Sequence, residues 1–277
     1  MATSAEAHPP DPPEMVDLDG ELEVVGRVAD SSNLAILARL MTPTGGGAER
    51  HVIYKPVRGE RPLWDFPDGT LAGREVAAGV VSTLGGWHVV PPTVMREGPL
   101  GPGSVQLWVG DPFAPVSSDL VVDLVPTGAA PAGWFSVFDG ETPTGAGVTV
   151  VHSGADDVRS LAVLDAVINN SDRKGSHCLR DENGRLWGID HGVSFSPEPK
   201  LRTVLWGWAG QPLRAADREK LRRLSAALCE ETVQATLGEL LPERDLAALA
   251  GRVERLLSKG RHPRPSGGWP AVPWPPL

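Results

Sequence analysis

The stretch that decides the fold is residues 169–192, which read NNSDRKGSHCLRDENGRLWGIDHG. Ionisable side chains are dense in this stretch: Asp172, Arg173, Lys174, His177, Asp190 and His191. Near its middle, Asn183-Gly184 lies between two segments in which apolar and polar residues alternate. A two-residue type I′ turn needs positive φ at both central positions, and asparagine followed by glycine is the preferred pair for it, so these residues predict a tight β-hairpin. The density of charge is explained either by a solvated loop or by a site for a metal ion and phosphate.

The hairpin predicts a contact between one imidazole and one carboxylate. If Asn183 and Gly184 form a two-residue turn, counting back along both strands places His177 opposite Asp190. Directly opposed residues have Cβ atoms about 5 Å apart, so the two side chains could share one metal ion. Asp172 precedes the hairpin and would project into the same space. The alternative is an ordinary solvated hairpin in which the histidine and the aspartate share a hydrogen bond, and this stretch alone leaves both open.

Composition limits the class of protein. A chain of 277 residues can bury a substantial core as one large domain or two lobes. Its 41% hydrophobic and 22% charged residues are ordinary for a soluble globular protein. A net charge of −9 argues against nucleic acid or anionic lipid held by nonspecific attraction.

The sequence shows no signal for a membrane or for export. No apolar run approaches the roughly 18 to 20 residues of a membrane span. The first residues, MATSAEAHPPDPPEM, lack the basic and apolar regions of a signal peptide. We therefore predict a cytoplasmic protein without stable membrane insertion.

The first half of the chain predicts strands and one helix. Residues 1–17, rich in proline, alanine and acid, predict a disordered leader. Residues 18–112 alternate short apolar runs with turns, and this pattern predicts strands, the first two joined by a loop around residues 30–32. Residues 70–85, TLAGREVAAGVVSTLG, have apolar positions at helical spacing and predict a helix.

The second half predicts mainly helices. Within residues 113–262 a strand is expected at 119–126, and a single helix is expected at 217–241, DREKLRRLSAALCEETVQATLGELL. The proline-rich residues 263–277 predict an extended arm, with Trp269 and Trp274 as docking points. Strands with one helix followed by helices predict an α+β protein of two lobes with a cleft between them.

Several motifs together resemble one kinase family. NNSDRKGSH followed by LWGIDHGVSF resembles the catalytic and metal-binding loops of the phosphatidylinositol 3-/4-kinase-like branch of the protein-kinase superfold. Upstream, residues 52–94 resemble type II phosphatidylinositol 4-kinases in their Tyr-Lys-Pro strand, the acidic residue early in the next helix and the Val-Pro-x-Thr strand after it. From about residue 18 to 277 the chain is similar to an actinobacterial family of conserved proteins described as phosphatidylinositol-kinase-like. The resemblance implies a bilobal protein-kinase-like fold with a β-rich N-lobe containing one helix and a mainly helical C-lobe.

The resemblance also implies roles for individual residues. Lys55 would contact the phosphates of ATP, and Glu75 would pair with Lys55. Asp172 would be the catalytic aspartate that orients the acceptor hydroxyl. Asp190 would be the principal metal ligand, and His177 occupies the second metal position.

Further residues would complete the nucleotide site. Ser31 and Ser32 would cover the phosphates, although GRVADSSN is not a full glycine-rich signature. Gln106 and Trp108, in SVQLWVG, would contact the nucleotide. The metal would be Mg²⁺ or Mn²⁺, and His177 predicts a preference for Mn²⁺ because Mg²⁺ favours oxygen ligands, whereas imidazole suits transition metals.

Three functions remain open at this stage. The first is an ATP-dependent kinase acting on a hydroxyl of a lipid, a protein or a small molecule. The second is a nucleotide-binding pseudokinase or interaction module, and the third is an AMP transferase on the same fold. Four other residues are expected to be structural: Arg173 bridging loop groups, Asp165 on the polar side of its helix, and Trp206 and Trp208 in packing.

Overall fold

The computed structural model describes residues 17–28, 33–41, 50–61, 63, 66, 71–114, 120–267 and 270–277. Ser31 and Ser32, with the rest of the predicted loop, lie outside the described residues. So do residues 1–16 of the predicted leader and Trp269.

The N-terminal part is a five-stranded antiparallel sheet with strand order β1-β2-β3-β5-β4. The predicted strands and helix are present, and the bounds are β1 Glu21–Arg27, β2 Ile36–Met41, β3 Arg50–Pro56, α1 Leu71–Gly85, β4 Thr93–Gly98 and β5 Gly101–Leu107. On β3, Val52 and Tyr54 are fully buried in the core of the sheet. Because successive side chains of a strand point to opposite faces, Lys55 lies on the other face.

A second sheet follows that the sequence analysis missed. Its three strands are antiparallel in the order β6-β8-β7, with bounds β6 Val122–Pro126, β7 Trp134–Glu141 and β8 Gly147–Ser153. The register of β7 against β8 shifts between Ser136 and Phe138, as in a β-bulge. This bulge interrupts the two-residue period of β7 by which a strand is identified from sequence. Of the three strands, β6 was predicted.

The remaining helices form a bundle around one large apolar core. They are α2 Asp156–Ile168, α3 Ala215–Ala227, α4 Glu231–Gly238 and α5 Glu243–Lys259. The single helix predicted for 217–241 is wrong, because α3 ends before α4 begins. The N–H groups of Cys229 and Glu230 bond to the carbonyls three residues earlier, and Glu230 has extended backbone (φ −81°, ψ 130°). This break contains neither glycine nor proline, so the pattern of residue types did not reveal it.

A buried ion pair fixes α1 against the helical part. Arg74 Nη2 lies 2.7 Å from Asp245 Oδ2 on α5, and Arg74 Nη1 donates to the carbonyl of Ser194 at 2.7 Å. Both charged side chains are almost fully buried. Because Glu75 follows Arg74 directly, this pair also sets the position of the predicted partner of Lys55.

His152 is a buried neutral histidine. It lies between Phe135 and Trp208. Its Nε2 accepts the N–H of Gly207 at 2.9 Å, and its Nδ1 is 2.9 Å from the carbonyl of Ser153. These partners require the proton to be on Nδ1. Burial lowers the pKa of His152 to about 4, against the weaker opposing effect of the Ser153 carbonyl.

We expect His152 to make the protein less stable in mild acid. An unfolded histidine has a pKa of about 6.5, so as the pH falls the unfolded chain takes up this proton before the folded chain does. The contribution of His152 is therefore fully present above pH 6.5 and declines from there to about pH 4, by roughly 3 kcal/mol in total. Urea unfolding across this range should give a flatter pH profile for His152→Gln than for the wild type. Equal slopes for the two proteins would contradict the assignment.

Candidate functional site

The core of the site is a lysine held between two carboxylates. Lys55, on β3, forms an ion pair with Glu75 of α1, and its Nζ also lies 2.9 Å from Asp190 Oδ1. The second oxygen of Glu75 accepts the backbone N–H of His191 at 2.8 Å. Glu75 is therefore bonded both to the lysine and to the segment that carries Asp190, so the sheet, α1 and this segment meet at one point.

The charges of this group stabilise one another. The positive charge of Lys55 holds the pKa of Asp190 well below its usual range and outweighs the effect of burial. Burial alone would lower the pKa of Lys55, but the charges of Asp190 and Glu75 together raise it above its usual value. Burial raises the pKa of Glu75, an effect that Lys55 opposes. At neutral pH, Lys55 is protonated and Asp190 is ionised.

The hairpin exists, but its predicted register is wrong. Strands β9 Cys178–Arg180 and β10 Leu186–Gly188 pair so that Gly188 is opposite Cys178. The turn is a three-residue loop closed by bonds between Asp181 and its partners Gly184 and Arg185. Of the two predicted turn residues only Gly184 has positive φ (+74°), so the turn is not type I′. The strands are therefore offset by one residue from the prediction, and His177 bonds across to Ile189 instead of facing Asp190.

The two side chains meet nevertheless, for a different reason. His177 Nε2 lies 3.3 Å from Asp190 Oδ2. His177 ends a short 3₁₀ helix, Gly175–His177, and does not belong to a strand. Asp190 has φ +57°, a left-handed conformation that is uncommon outside glycine and takes the residue out of strand alternation. Such a strained residue is typical of functional sites.

Asp172 and Lys174 lie in the loop before the 3₁₀ helix. Lys174 Nζ is 3.1 Å from Asp172 Oδ2, and both side chains are partly exposed. The side-chain oxygen of Asn170 accepts the backbone N–H of Asp172 at 3.0 Å and shapes the loop. Burial lowers the pKa of His177, which the negative charges of Asp190 and Asp172 oppose. Asp172 therefore lies close enough to the His177–Asp190 pair to act on it electrostatically.

Arg173 is the buried centre around which the site is built. Its Nε and Nη2 lie 3.0 and 2.9 Å from the carboxylate of Asp165. Its Nη1 donates to the carbonyls of His177 at 3.0 Å and Ile189 at 2.8 Å. The guanidinium of Arg173 thus connects α2 to the backbone of His177 and to that of Ile189, the residue before Asp190. This is the structural role predicted for Arg173.

Two neighbours of Arg173 also take defined roles. Asp165 was predicted on the polar side of α2, which is wrong: it is fully buried. The sequence did contain a signal for its burial, since this acid lies within the apolar run AVLDAVI. A buried carboxylate needs a paired cation, so the same signal indicates a buried ion pair. Nη2 of Arg173 lies 2.8 Å from His191 Nε2, which must therefore accept, so His191 is neutral. Burial, followed by the charge of Arg173, lowers the pKa of His191 well below its usual value.

The C-terminal arm binds back onto the site loop. The carbonyl of Pro276 accepts the N–H of Gly175 at 2.8 Å, next to Lys174. The carbonyl of Ala271 accepts the indole N–H of Trp206 at 2.8 Å. Trp274, a predicted docking point, is 81% exposed and therefore does not dock on the described part of this chain. Backbone carbonyls hold the arm, together with Val272, which packs against the apolar core.

A cavity of about 670 Å³ lies between the end of the sheet and the β9–β10 hairpin. Its lining includes His51, Trp108 and Phe113 on one side and Trp187 on the other. Trp108 is therefore at the cavity, whereas Gln106 is not among the residues that line it. The side chain of Gln106 is buried in the sheet, where its amide donates to Thr93 Oγ1 at 2.7 Å.

His177 and Asp190 are the side chains that could hold a metal ion. In the described part of the chain, no cluster of three or more His, Cys, Asp or Glu side chains forms a set of metal ligands. His177 Nε2 and Asp190 Oδ2 nevertheless fit an ion chemically, because a neutral imidazole and an ionised carboxylate are the forms that bind metals. Two protein ligands suffice when phosphate oxygens and water supply the others, as is usual for Mg²⁺.

No helix in the described ranges combines the length and the apolar character that crossing a bilayer requires.

Comparison with known proteins gives one close relative. No protein-family model matches the chain. A solved structure described as "The structure of hydra Fam20 with sugar" is 15% identical, with a TM-score of 0.49, and the match covers 87% of this chain and 85% of that chain. "Protein Rv2133c" of Mycobacterium tuberculosis is 43% identical over 262 residues, which cover 93% of this chain and 92% of that protein. Identity of this level over nearly the full length of both proteins shows common descent, and the chain belongs to the same family as Protein Rv2133c.

Proposed function

We propose that the protein is an ATP-dependent phosphotransferase of the phosphatidylinositol-kinase-like type that acts on a hydroxyl acceptor. The observation that supports this most is the contact of Lys55 with both Glu75 and Asp190. A single lysine, held by a helix acid and facing a half-exposed ionised aspartate, provides a fixed positive charge beside a metal-binding carboxylate. Phosphoryl transfer needs these charges, because catalysis depends on positioning and on electrostatic stabilisation.

The nucleotide would lie along one face of β3. The cavity beside Trp108 and Trp187 suits the base, since aromatic rings stack on planar groups. His51, which lines this cavity, is on the same face of β3 as Lys55 and four residues away, about 13 Å along the strand. Lys55 would bind the phosphates at that distance from the base. Ser31 and Ser32 remain proposed contacts that cover the phosphates.

The reacting groups would meet at the loop that carries Asp172. His177 and Asp190 would hold the divalent ion, which when bound offsets the charge of the phosphates. Asp172 would orient the acceptor hydroxyl and take its proton. The hydroxyl oxygen forms a bond to the γ-phosphorus while the bond from that phosphorus to the β,γ-bridging oxygen breaks, which yields ADP and a phosphate ester.

The proposed lobes follow from the same site. We propose residues 18–112 as the N-lobe, 113–262 as the C-lobe and 263–277 as the arm. Contacts of Lys55 with Asp190 and of Arg74 with Asp245 join the two proposed lobes around the nucleotide cleft.

The test is transfer from ATP to a panel of acceptors. The full chain is incubated with ATP and either Mg²⁺ or Mn²⁺, together with inositol-lipid vesicles, a protein mixture or soluble polyols, and products are weighed by mass spectrometry. An acceptor heavier by about 80 Da, one HPO₃ group, supports the proposal. A nucleotide-sized increase would instead establish AMP transfer.

A nucleotide-binding module without transfer is the second candidate. It is favoured by the absence of a third protein ligand near His177 and Asp190 in the described part of the chain. Saturable ATP binding with no mass change of any acceptor, under either metal, would support this candidate and contradict the first.

We expect His177→Asn to change the preferred metal. An amide oxygen suits Mg²⁺, whereas imidazole nitrogen suits Mn²⁺. The ratio of the rates with Mn²⁺ and Mg²⁺ should fall by about tenfold in the variant. Metal titrations of ADP formation measure this ratio.

The matched control for this prediction is His88→Asn. His88 has φ +50°, a conformation that asparagine tolerates well, and it is not at the site. The control should keep the wild-type ratio. Full activation of the wild type by low concentrations of Mg²⁺ alone, or an unchanged ratio in His177→Asn, would show that His177 does not set the metal preference.

A further inference from the structure

A second cavity, of about 450 Å³, lies in the helical part of the protein. Its walls come from the end of α2, the segment 197–206, the last turns of α5 and residues 263–266 of the arm. None of these lining residues belongs to the proposed nucleotide and metal sites. The cavity therefore needs an explanation of its own.

Three arginines line this cavity. They are Arg252, Arg255 and Arg264, and no aspartate or glutamate is among the described residues of the lining. Glu198 is adjacent in sequence to two lining residues, but its side chain is 73% exposed and lies 3.5 Å from Lys200 Nζ. In a chain with a net charge of −9 this is a local excess of positive charge.

Two of the three guanidinium nitrogens of Arg252 donate hydrogen bonds to backbone carbonyls. Its Nε donates to the carbonyl of Val167 at 2.7 Å, and its Nη1 donates to the carbonyl of Ser196 at 3.0 Å. The residue as a whole is 8% exposed, and its Nη2 is buried and has no hydrogen-bond partner among the described residues. Leaving a buried charged donor unpaired is costly, and an unplaced ion is one of the usual reasons for such a group.

Arg255 adds to this cost in the absence of a ligand. Burial, and then the positive charge of Arg255, lower the pKa of Arg252 to about 10. An anion bound beside Arg255 would offset the positive charge of Arg255, reduce its repulsion of Arg252, and accept charge-assisted hydrogen bonds.

The rest of the lining is apolar or aromatic. The indole of Trp206 is held in place by its bond to Ala271, and Leu201 and Leu256 lie beside it in the lining. A ligand that fits this wall has a ring or another apolar body. The volume is in the range of small-molecule sites.

We propose that this cavity binds a small organic anion, in which a carboxylate or a phosphate monoester is attached to a planar or apolar body. The anionic head lies against Arg252 and Arg255, and the body lies against Trp206 and Leu256. The site is separate from the proposed nucleotide site and does not depend on phosphoryl transfer.

The test uses 1-naphthyl phosphate and 1-naphthoate as probes, titrated into the full chain by calorimetry. At least one of them should bind saturably, and comparison of the two identifies the preferred head group. The uncharged 1-naphthol should bind at least about tenfold more weakly, since charge-assisted hydrogen bonds are lost. Saturable binding of neither anion would overturn the proposal.

Variants connect the binding to the cavity. Arg255→Gln should lower the affinity for the anionic probe by about tenfold. The side chain of Arg255 is exposed and makes no hydrogen bond within the described part of the chain, whereas Arg252→Gln removes bonds to two backbone carbonyls. The control Arg222→Gln, on the exposed face of α3, should bind as the wild type does. Equal affinity of Arg255→Gln and the wild type would overturn the proposal.

Discussion

Replacing Asp190 with asparagine is expected to lower the rate of phosphoryl transfer by about a thousandfold. The variant keeps the shape of the side chain but removes the charge that faces Lys55 at 2.9 Å and His177 at 3.3 Å. An amide also offers a divalent ion a neutral ligand in place of a charged one. ADP formation with the acceptor found by mass spectrometry measures the loss.

This variant should remain folded, which makes the result interpretable. Asp190 is about half exposed, and Lys55 keeps its bond to Glu75 when Asp190 is changed. Asp156→Asn, at an acid that is 84% exposed, is the matched control and should retain full activity. An Asp190→Asn protein that unfolds like the wild type and transfers phosphate at the wild-type rate would contradict the proposed function.

Replacing Asp245 with alanine should destabilise the protein by about 3 to 5 kcal/mol. The variant leaves Arg74 buried without its counter-ion, because the carbonyl of Ser194 is then the remaining partner of its guanidinium. This loss of stability comes from leaving one buried charge uncompensated. It is larger than the loss expected when both charged residues are replaced by apolar ones. Urea unfolding measures the change in the free energy of unfolding.

A double variant separates this explanation from simple loss of packing. Arg74→Met with Asp245→Leu removes both charges and should recover much of the stability lost in Asp245→Ala. Asp156→Ala, at the exposed acid on α2, should change stability by less than about 1 kcal/mol. If Asp245→Ala were as stable as Asp156→Ala, the pair would not hold α1 in place.

The same pair matters for the site, because α1 carries both Arg74 and Glu75. Glu75 bonds to Lys55 and to the backbone of His191, so the position of α1 decides whether these contacts form. The predicted pairing of Lys55 with Glu75 came from the resemblance to a kinase family. The buried contact with α5 that holds it joins residues 171 positions apart, which no local pattern reveals.

In the β9–β10 hairpin, the local sequence predicted the chain reversal but not the register of the two strands. The sequence Asn183-Gly184 correctly predicted a reversal of the chain, since glycine readily adopts positive φ. The length of the loop was wrong by one residue, and a shift of one residue exchanges the two faces of a strand. His177 and Asp190 are close because the backbone at Asp190 is left-handed, a conformation that neighbouring turns and contacts impose and that residue type does not predict.

The resemblance to a kinase family identified Lys55, Glu75, Asp172 and Asp190. Residue order and period by themselves determined the strands β1 to β3, the helix α1 and the reversal of the chain at the hairpin. These are local properties, since they depend on the two-residue and 3.6-residue repeats and on turn chemistry. Tertiary structure alone decided the geometry by which His177 meets Asp190, the burial of Asp165 beside Arg173, and the cavity lined by Arg252 and Arg255. Arg173 and Asp165 are only 8 positions apart, but their contact depends on loop conformation and on burial, which no repeat of residue types specifies. Burial is what makes such charges require partners.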